Sequence, residues 1–320
     1  MLIPVLLFIV GLLLLIKGGD WFVDGATGIA HRFHVPELLI GATVVSVGTT
    51  LPEVMVSATS AISGHGEIAY GNAIGSIICN TALICALTFA IRPATVDRKV
   101  LRTPVIFFFA AAAFYVAVAL CTGEFSRWTG LVLLAIFAVY MFVVICQALT
   151  QREPEAEAAE AEPMSLWKEL FLLVVGAACI AVGARLLVDN GTKIAEALGV
   201  PESVIALTFV ALGTSLPELV TAVTALIKGH SALSLGNIIG ANLFNLVLVT
   251  GVSATLKPFA VPSSKLIAGM NSSFVVDIPV MLAVMFLLTV PALVRKKLTR
   301  PQGITLLLIY AAFCVYQFAI

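Results

Sequence analysis

About ten stretches of the chain, near 2–17, 38–63, 68–91, 104–121, 128–149, 167–188, 203–227, 232–256, 276–294 and 302–319, are predominantly apolar. Each is long enough to cross a hydrocarbon core of about 30 Å, which takes roughly 20 residues of helix. No other feature narrows the fold so far. In hydrocarbon every backbone N–H and C=O must find a partner within the chain, which leaves helices or closed barrels. These runs are too long and too uniformly apolar for barrel strands. A chain that is 60% hydrophobic and 11% charged, with a mean hydropathy of +1.09, also carries more apolar surface than a soluble domain can bury. The expected fold class is therefore an all-α integral membrane protein with about ten transmembrane helices. The N-terminal run has no basic start and no small-residue cleavage site before Lys17, so it reads as the first span and not as a signal peptide.

Lys and Arg are unevenly placed. With Met1 outside and ten spans, thirteen of them, from Lys17 to Arg300, fall in inside loops, and five (Arg127, Arg185, Lys193, Lys257 and Lys265) fall outside. By the positive-inside rule, both termini are expected outside a plasma (inner) membrane that the chain crosses repeatedly. The required partner is the lipid bilayer; nothing calls for nucleic acid or an obligatory protein partner. Six cysteines stand singly in apolar runs and are expected to be small buried hydrophobes.

Displaced by 165 residues, the chain matches itself without a gap. Val35-Pro36-Glu37 faces Val200-Pro201-Glu202, VSVGTTLPE (45–53) faces VALGTSLPE (210–218), and GNAIGSIICN (71–80) faces GNIIGANLFN (236–245). A duplication follows, with a first repeat at 1–150, an acidic linker at 151–166 and a second repeat at 167–320. Five spans per half is an odd number, so the second copy enters the membrane from the opposite side. Such inverted repeats are typical of secondary transporters. An insertion near 262–276 interrupts the second copy and puts Asp277 at a membrane edge.

The chemistry lies in the matched motifs. GTTLPE (48–53) and GTSLPE (213–218) place a proline and a carboxylate inside apolar spans. Pro52 should loosen the carbonyl of Gly48, and Pro217 that of Gly213, by ring clash and the missing N–H. Thr49, Thr50, Thr214 and Ser215 add hydroxyls. Glu53 and Glu218 are costly at depth unless paired, and no Lys or Arg in the motif spans can pair with them. The third and eighth spans supply Asn72, Ser76 and Asn80, and Asn237, Asn242 and Asn245. Of these, Ser76, Asn80 and Asn245 are expected to coordinate an ion. Carboxylates, hydroxyls, carboxamides and freed carbonyls, without a central His or Cys, suit hard cations such as Ca²⁺ or Na⁺. Two ionised glutamates balance one Ca²⁺. Three Na⁺ on the same oxygens leave one positive charge, so that exchange would respond to membrane potential.

These motifs, G-T-[ST]-L-P-E followed by G-N-x-x-G-[SA]-x-x-x-N, resemble the α-repeat signatures of the sodium/calcium exchanger family within the calcium/cation antiporters. The resemblance covers the ten-span, five-plus-five layout. It implies a midplane Ca²⁺ site flanked by Na⁺ sites. Glu53 and Glu218 with the Thr49 and Thr214 carbonyls would hold Ca²⁺. Thr50, Ser76, Ser46, Ser215 and Ala211, the last through its carbonyl, would serve Na⁺, and Asn80 and Asn245 would line the centre. Two positions depart from some prokaryotic members: Ala241 stands opposite Ser76, and Asn245 stands where some carry Asp. The neutral Asn245 lowers the negative charge of the site and speaks against K⁺ co-transport. The linker leaves no room for the large regulatory domains of animal members.

The expected activity is Na⁺/Ca²⁺ antiport by alternating access, with Ca²⁺ and Na⁺ as cargo and no resident cofactor. The first and sixth spans would slide, with Gly11, Gly18 and Gly183 as hinges or close-packing points. A Ca²⁺/H⁺ antiporter using the same glutamates is the rival, since oxygen ligands do not exclude it. Inverted repeats suit alternating access better than a passive cation channel. No catalytic dyad or His-rich motif suggests an enzyme.

Overall fold

The structure, a computed structural model, describes residues 2–150, 164–198, 213–263, 266–267 and 269–319. The apolar runs fold into helices α1 (Leu2–Phe33), α2 (Glu37–Ile62), α3 (Gly66–Ile91), α4 (Arg98–Thr122), α5 (Arg127–Thr150), α6 (Leu166–Ala197), α7 (Leu216–Lys228), α8 (Ser231–Leu256), α9 (Ser273–Arg295) and α10 (Arg300–Ala319). Among the described residues, eight helices (α1 to α6, α8 and α9) are long and apolar enough to cross a membrane. Helix α7 is the described part of the expected seventh span; residues 203–212 and the linker at 151–163 lie outside the described residues.

Helix α1 continues well past Lys17, where its apolar run ends. Beyond that point Phe22, Val23, Ala26 and Ala30 bury one face. The polar face is held by ion pairs: Lys228 donates to Asp24 Oδ1 at 2.7 Å, and Arg32 reaches both oxygens of Glu169 on α6 at 2.7 and 3.0 Å. Helix α6 likewise outruns its expected span of 167–188.

Helices α1 and α6 pack antiparallel along their length. A Cβ on Gly11 would stand 2.8 Å from the Gly183 carbonyl oxygen, one on Gly18 would stand 3.0 Å from that of Gly176, and one on Gly25 would stand 2.6 Å from Leu173 N. These glycines are close-packing points, letting two backbones approach in small-xxx-small fashion.

The two prolines are placed differently in the two halves. Helix α2 runs through Pro52 unbroken, and its irregularity lies upstream, in a π-helical turn at Gly41–Val45. There Gly41 meets the backbone of Leu233 and Asn237 on α8, and the Tyr140 hydroxyl donates to Ala42 O at 2.9 Å. The wide turn is thus supported by packing and not produced by the proline. Pro217 sits in the first turn of α7, where the absent N–H costs nothing. Further π turns span Asn80–Cys85 in α3, Asn245–Val249 in α8 and Ser273–Asp277 in α9. Such turns concentrate at functional sites.

The loops depart from a strictly helical fold. Strand β1 (Ala94–Thr95) pairs with β6 (Lys297–Leu298), β2 (Glu124–Phe125) with β3 (Phe259–Ala260), and β4 (Leu266–Ile267) with β5 (Met270–Asn271). The β4–β5 hairpin occupies the insertion. Asp277 closes the π turn of α9 and accepts from Gln317 Nε2 at 3.0 Å. The main core joins α3, α4, α5, α8 and α9 around Phe108, Tyr115, Phe125, Tyr140 and Phe244, and a smaller one lies beneath α1 and α6. Cys79 and Cys85 are buried as expected, but Cys121 and Cys146 are exposed. They lie on the outward faces of α4 and α5, where lipid can take the place of a protein core.

Candidate functional site

Helical periodicity puts Ser46, Thr49, Thr50, Glu53 and Ser57 on one face of α2, all buried, while Leu51 and Met55 face outward. An amphipathic pattern is thus inverted: the polar stripe faces the protein and the apolar one faces lipid. Against that stripe pack α3, α7 and α8. Helix α3 brings Ser76 and Asn80, α7 brings Glu218 and Thr221 with Ser215 at its N-cap, and α8 brings Asn237, Asn242 and Asn245. Glu53, Glu218, Asn80 and Asn245 are 0% exposed.

The two glutamates, 165 residues apart, come within Coulombic range of each other. The Thr49 hydroxyl lies beside Glu218, and Ser215 and Glu218 lie beside Cys79, the neighbour of Asn80. Buried polar atoms are normally satisfied, yet here a set of them has no hydrogen-bond partner: Thr50 Oγ1, both carboxylate oxygens of Glu53 and of Glu218, both amide atoms of Asn80, Ser215 Oγ and Asn245 Oδ1. All belong to residues that the sequence singles out. Two buried, like-charged carboxylates with bare oxygens require a cation or protons as counter-charge. Among the described residues, no group of three His, Cys, Asp or Glu comes together. The donor set is two carboxylates with hydroxyls and carboxamides, which fits hard cations.

Other expected residues are placed differently. Ser46 Oγ is committed to backbone, 2.7 Å from Gly41 O and 2.9 Å from Asn237 O. Thr214 is half-buried in the turn before α7. Ala211 lies outside the described residues.

Three asparagines that the sequence names without giving them an ion hold the site's helices together. Asn237 accepts from Thr49 Oγ1 at 3.1 Å, and Asn72 Nδ2 donates to Ser57 Oγ at 2.8 Å and Glu53 O at 3.3 Å. Their matched places in the two G-N motifs were the available signal. Asn242 Nδ2 donates to Thr81 Oγ1 at 2.7 Å, beneath Asn80. Phe22 of α1 lies over Gly48 and, with Ala177, Ile180 and Ala181 of α6, meets Thr49, Pro52 and Pro217. This seam joins the site's helices α2 and α7 to the α1–α6 pair. Nothing in the sequence pattern marks Phe22, since an aromatic residue in an apolar span is unremarked.

A family model described as sodium/calcium exchanger protein matches residues 3–146 and 168–319. The inner membrane protein YrbG of Escherichia coli (strain K12) is 36% identical over 272 residues, 81% of each chain. Sodium/calcium exchanger MaX1 of Methanosarcina acetivorans is 31% identical over 98% of each chain. A solved structure of the sodium-calcium exchanger NCX_Mj, soaked with 2.5 mM Na⁺ and 0.1 mM Ca²⁺, is similar with a TM-score of 0.83 at 33% identity, covering 98% of this chain and 97% of that one. On the strength of both matched halves and of these full-length likenesses, the chain belongs to the sodium/calcium exchanger protein family.

Proposed function

We propose that this protein is a secondary active antiporter that exchanges Ca²⁺ for Na⁺ by alternating access, and that the exchange is electrogenic. The observation that carries the reading is the buried cluster of unpartnered oxygens around Glu53 and Glu218, contributed by two matching motifs. Ca²⁺ is held by Glu53, Glu218 and the backbone carbonyls of Thr49 and Thr214. Na⁺ is held by Thr50, Ser46, Ser76, Ser215 and Ala211, with Asn80 and Asn245 at the centre. One cluster serves both ions, so each must leave before the other binds, which is the coupling an antiporter needs.

Ten spans in two inverted repeats, 1–150 and 167–320, complete the reading. Three observations support the inversion. The first helix of each half, α1 and α6, runs antiparallel to the other. Gly11 meets Gly183 while Gly18 meets Gly176, and both Gly11 and Gly176, and Gly18 and Gly183, are matched across the 165-residue offset. Strand β1 follows α3 and pairs with β6 after α9, while β3 follows α8 and pairs with β2 after α4. Such reciprocal contacts are what a two-fold axis in the membrane plane produces. The α1–α6 pair is the moving part, and its sliding opens the seam where Phe22 meets Thr49, Pro52 and Pro217. Both termini face outside the inner membrane.

The test is ⁴⁵Ca²⁺ uptake into Na⁺-loaded proteoliposomes diluted into Na⁺-free medium, with a pH-gradient control and Glu53→Gln. Uptake that needs the Na⁺ gradient, grows with an inside-negative to inside-positive change of potential that favours Na⁺ exit, and vanishes in the variant is expected. Uptake driven only by a pH gradient would replace Na⁺ with H⁺ as counter-ion.

A further inference from the structure

Two loops far apart in sequence are joined at one end of the bundle. Strand β1, between α3 and α4, pairs with β6, between α9 and α10, and Val96 N donates to Lys296 O at 2.9 Å. Val96 and Leu298 are buried beneath the pair. The joint gathers cations. Arg92, Arg98, Lys99 and Arg102 flank β1. Arg295, Lys296, Lys297 and Arg300 lie in and around β6, and all eight residues are exposed. Arg300 Nη2 reaches across to Ile91 O at 3.4 Å. Among the described residues, none of the eight is in an ion pair. Asp97, the acid of these loops, is spent on capping α4 through Lys99 N at 2.8 Å. Ile91 and Val294, at the ends of α3 and α9, are 60% and 72% exposed, so an apolar surface runs directly into the charged rim.

A second joint of the same build lacks this charge. There β2 follows α4 and pairs with β3, Phe125 with Phe259 and Glu124 with Ala260, and Val261 N donates to Gly123 O at 2.8 Å. Gly123 and Lys296 thus hold the same place: each is the left-handed residue that ends its helix, at φ 69° and φ 54°. That conformation suits glycine and disfavours a side chain, and glycine also fills it after α7, at Gly229. Next along the chain, Glu124 occupies the position that Lys297 has in the charged joint. The backbone pairing therefore needs no cations, and at Lys296 it opposes one. The positive-inside rule explains an excess of Lys and Arg near span ends on one face. It does not explain a lysine at a position that the fold suits to glycine.

We propose that the β1–β6 joint is a binding site for the headgroups of anionic phospholipids. Five of its eight cations are arginines, whose planar forks pair bidentately with phosphate. Ile91 and Val294 offer the acyl chains an apolar wall, from which a soluble anion would gain nothing. Each cation near an anionic surface adds roughly fivefold in affinity, and the binding weakens as salt rises. The inference needs the chain to lie in a bilayer and does not depend on the exchange reaction.

The experiment is native mass spectrometry of the full chain in detergent, titrated with phosphatidylglycerol or phosphatidylcholine, with thermal unfolding in parallel. Phosphatidylglycerol is expected to bind in preference to phosphatidylcholine. Lys296→Gly with Lys297→Glu transplants the residues of the second joint and changes the charge by three, and is expected to weaken phosphatidylglycerol binding roughly 10²-fold. Lys296→Gly alone is expected to weaken it roughly fivefold. Without lipid that single variant should melt at or above the temperature of the unaltered protein, because glycine suits the left-handed turn, so its loss of binding is not a loss of fold. Lys168→Glu, at an exposed position of α6 outside these loops, is expected to change binding little. Equal binding of the two lipids, full binding by the double variant, or as large a loss per charge in Lys168→Glu would overturn the proposal. Displacement of phosphatidylglycerol by inorganic phosphate at an equal concentration would assign the cations to soluble anions and overturn it as well.

Discussion

Exchanging Glu218 for Gln should change stability in opposite directions with and without Ca²⁺. Both site carboxylates are 0% exposed, their oxygens are without hydrogen bonds, and each lies in the field of the other. A charged carboxylate deep in a bilayer costs at least about 2.5–3.5 kcal/mol. Glu218→Gln keeps the shape and removes that charge, so the ion-free variant should gain about 2–3 kcal/mol. Calcium reverses the sign. At a concentration 100 times its Kd, an ion stabilises the unaltered protein by about 2.7 kcal/mol. In the variant one positive charge of Ca²⁺ is left uncompensated in a buried site, at about 3–5 kcal/mol, or roughly 10²- to 10⁴-fold in affinity. At the same Ca²⁺ concentration no more than about 0.4 kcal/mol of the stabilisation should survive. The assay is thermal unfolding of purified protein at pH 8, followed by tryptophan fluorescence, over a Ca²⁺ titration from chelator to millimolar. A variant that melts below the unaltered protein without ions would refute the claim of a costly bare charge. One that Ca²⁺ stabilises as strongly as before would refute the role of Glu218 as a ligand.

Further outcomes follow from other contacts. Gly183→Leu places a side chain against the Gly11 carbonyl oxygen and Leu15 N, where even a Cβ would sit at 2.8 and 2.9 Å; it should cost about 1–3 kcal/mol by overpacking and slow transport. Gly71→Ala, with nothing within 4 Å, is the harmless control in the same melting and uptake assays. His230, between α7 and α8, has its pKa raised chiefly by the 2.7 Å hydrogen bond to Glu37, with help from Asp24, against desolvation and Lys228. A raised histidine pKa stabilises the fold fully below the unfolded value of about 6.5 and loses that contribution as pH rises through the folded value. Melting curves of His230→Gln between pH 6 and 9 should therefore show a shallower decline with pH, by less than about 1 kcal/mol for so partly exposed a pair. Asn245→Asp adds a charge where an amide oxygen is unpartnered; it should lower ion-free stability by about 2.5–3.5 kcal/mol and be rescued by Na⁺, read as a melting temperature that rises more steeply with Na⁺ than that of the unaltered protein.

Much of this protein is legible in its sequence because the membrane leaves few solutions. Apolar runs must become helices, so the spans can be read with no knowledge of packing, and a gapless repeat announces which residues occupy equivalent places. A carboxylate in an apolar span marks itself by its cost, which is why Glu53 and Glu218 stand out from composition and position alone. Boundaries set by side-chain contacts were not legible. The run ends at Lys17, but α1 continues because Lys228 and Glu169, distant in sequence, hold its polar face. Nor could Pro52 and Pro217 be told apart: the same tripeptide is mid-helix in one half and at a helix start in the other, since local rules permit both and neighbouring helices choose. The inventory of oxygens around the site belongs to the sequence, written twice. Which of those oxygens already have a partner, as Ser46 and Thr49 do through Asn237, and which remain bare was decided only by how α2, α3, α7 and α8 pack, because a hydrogen bond depends on a separation of about 3 Å that spacing along a chain does not specify.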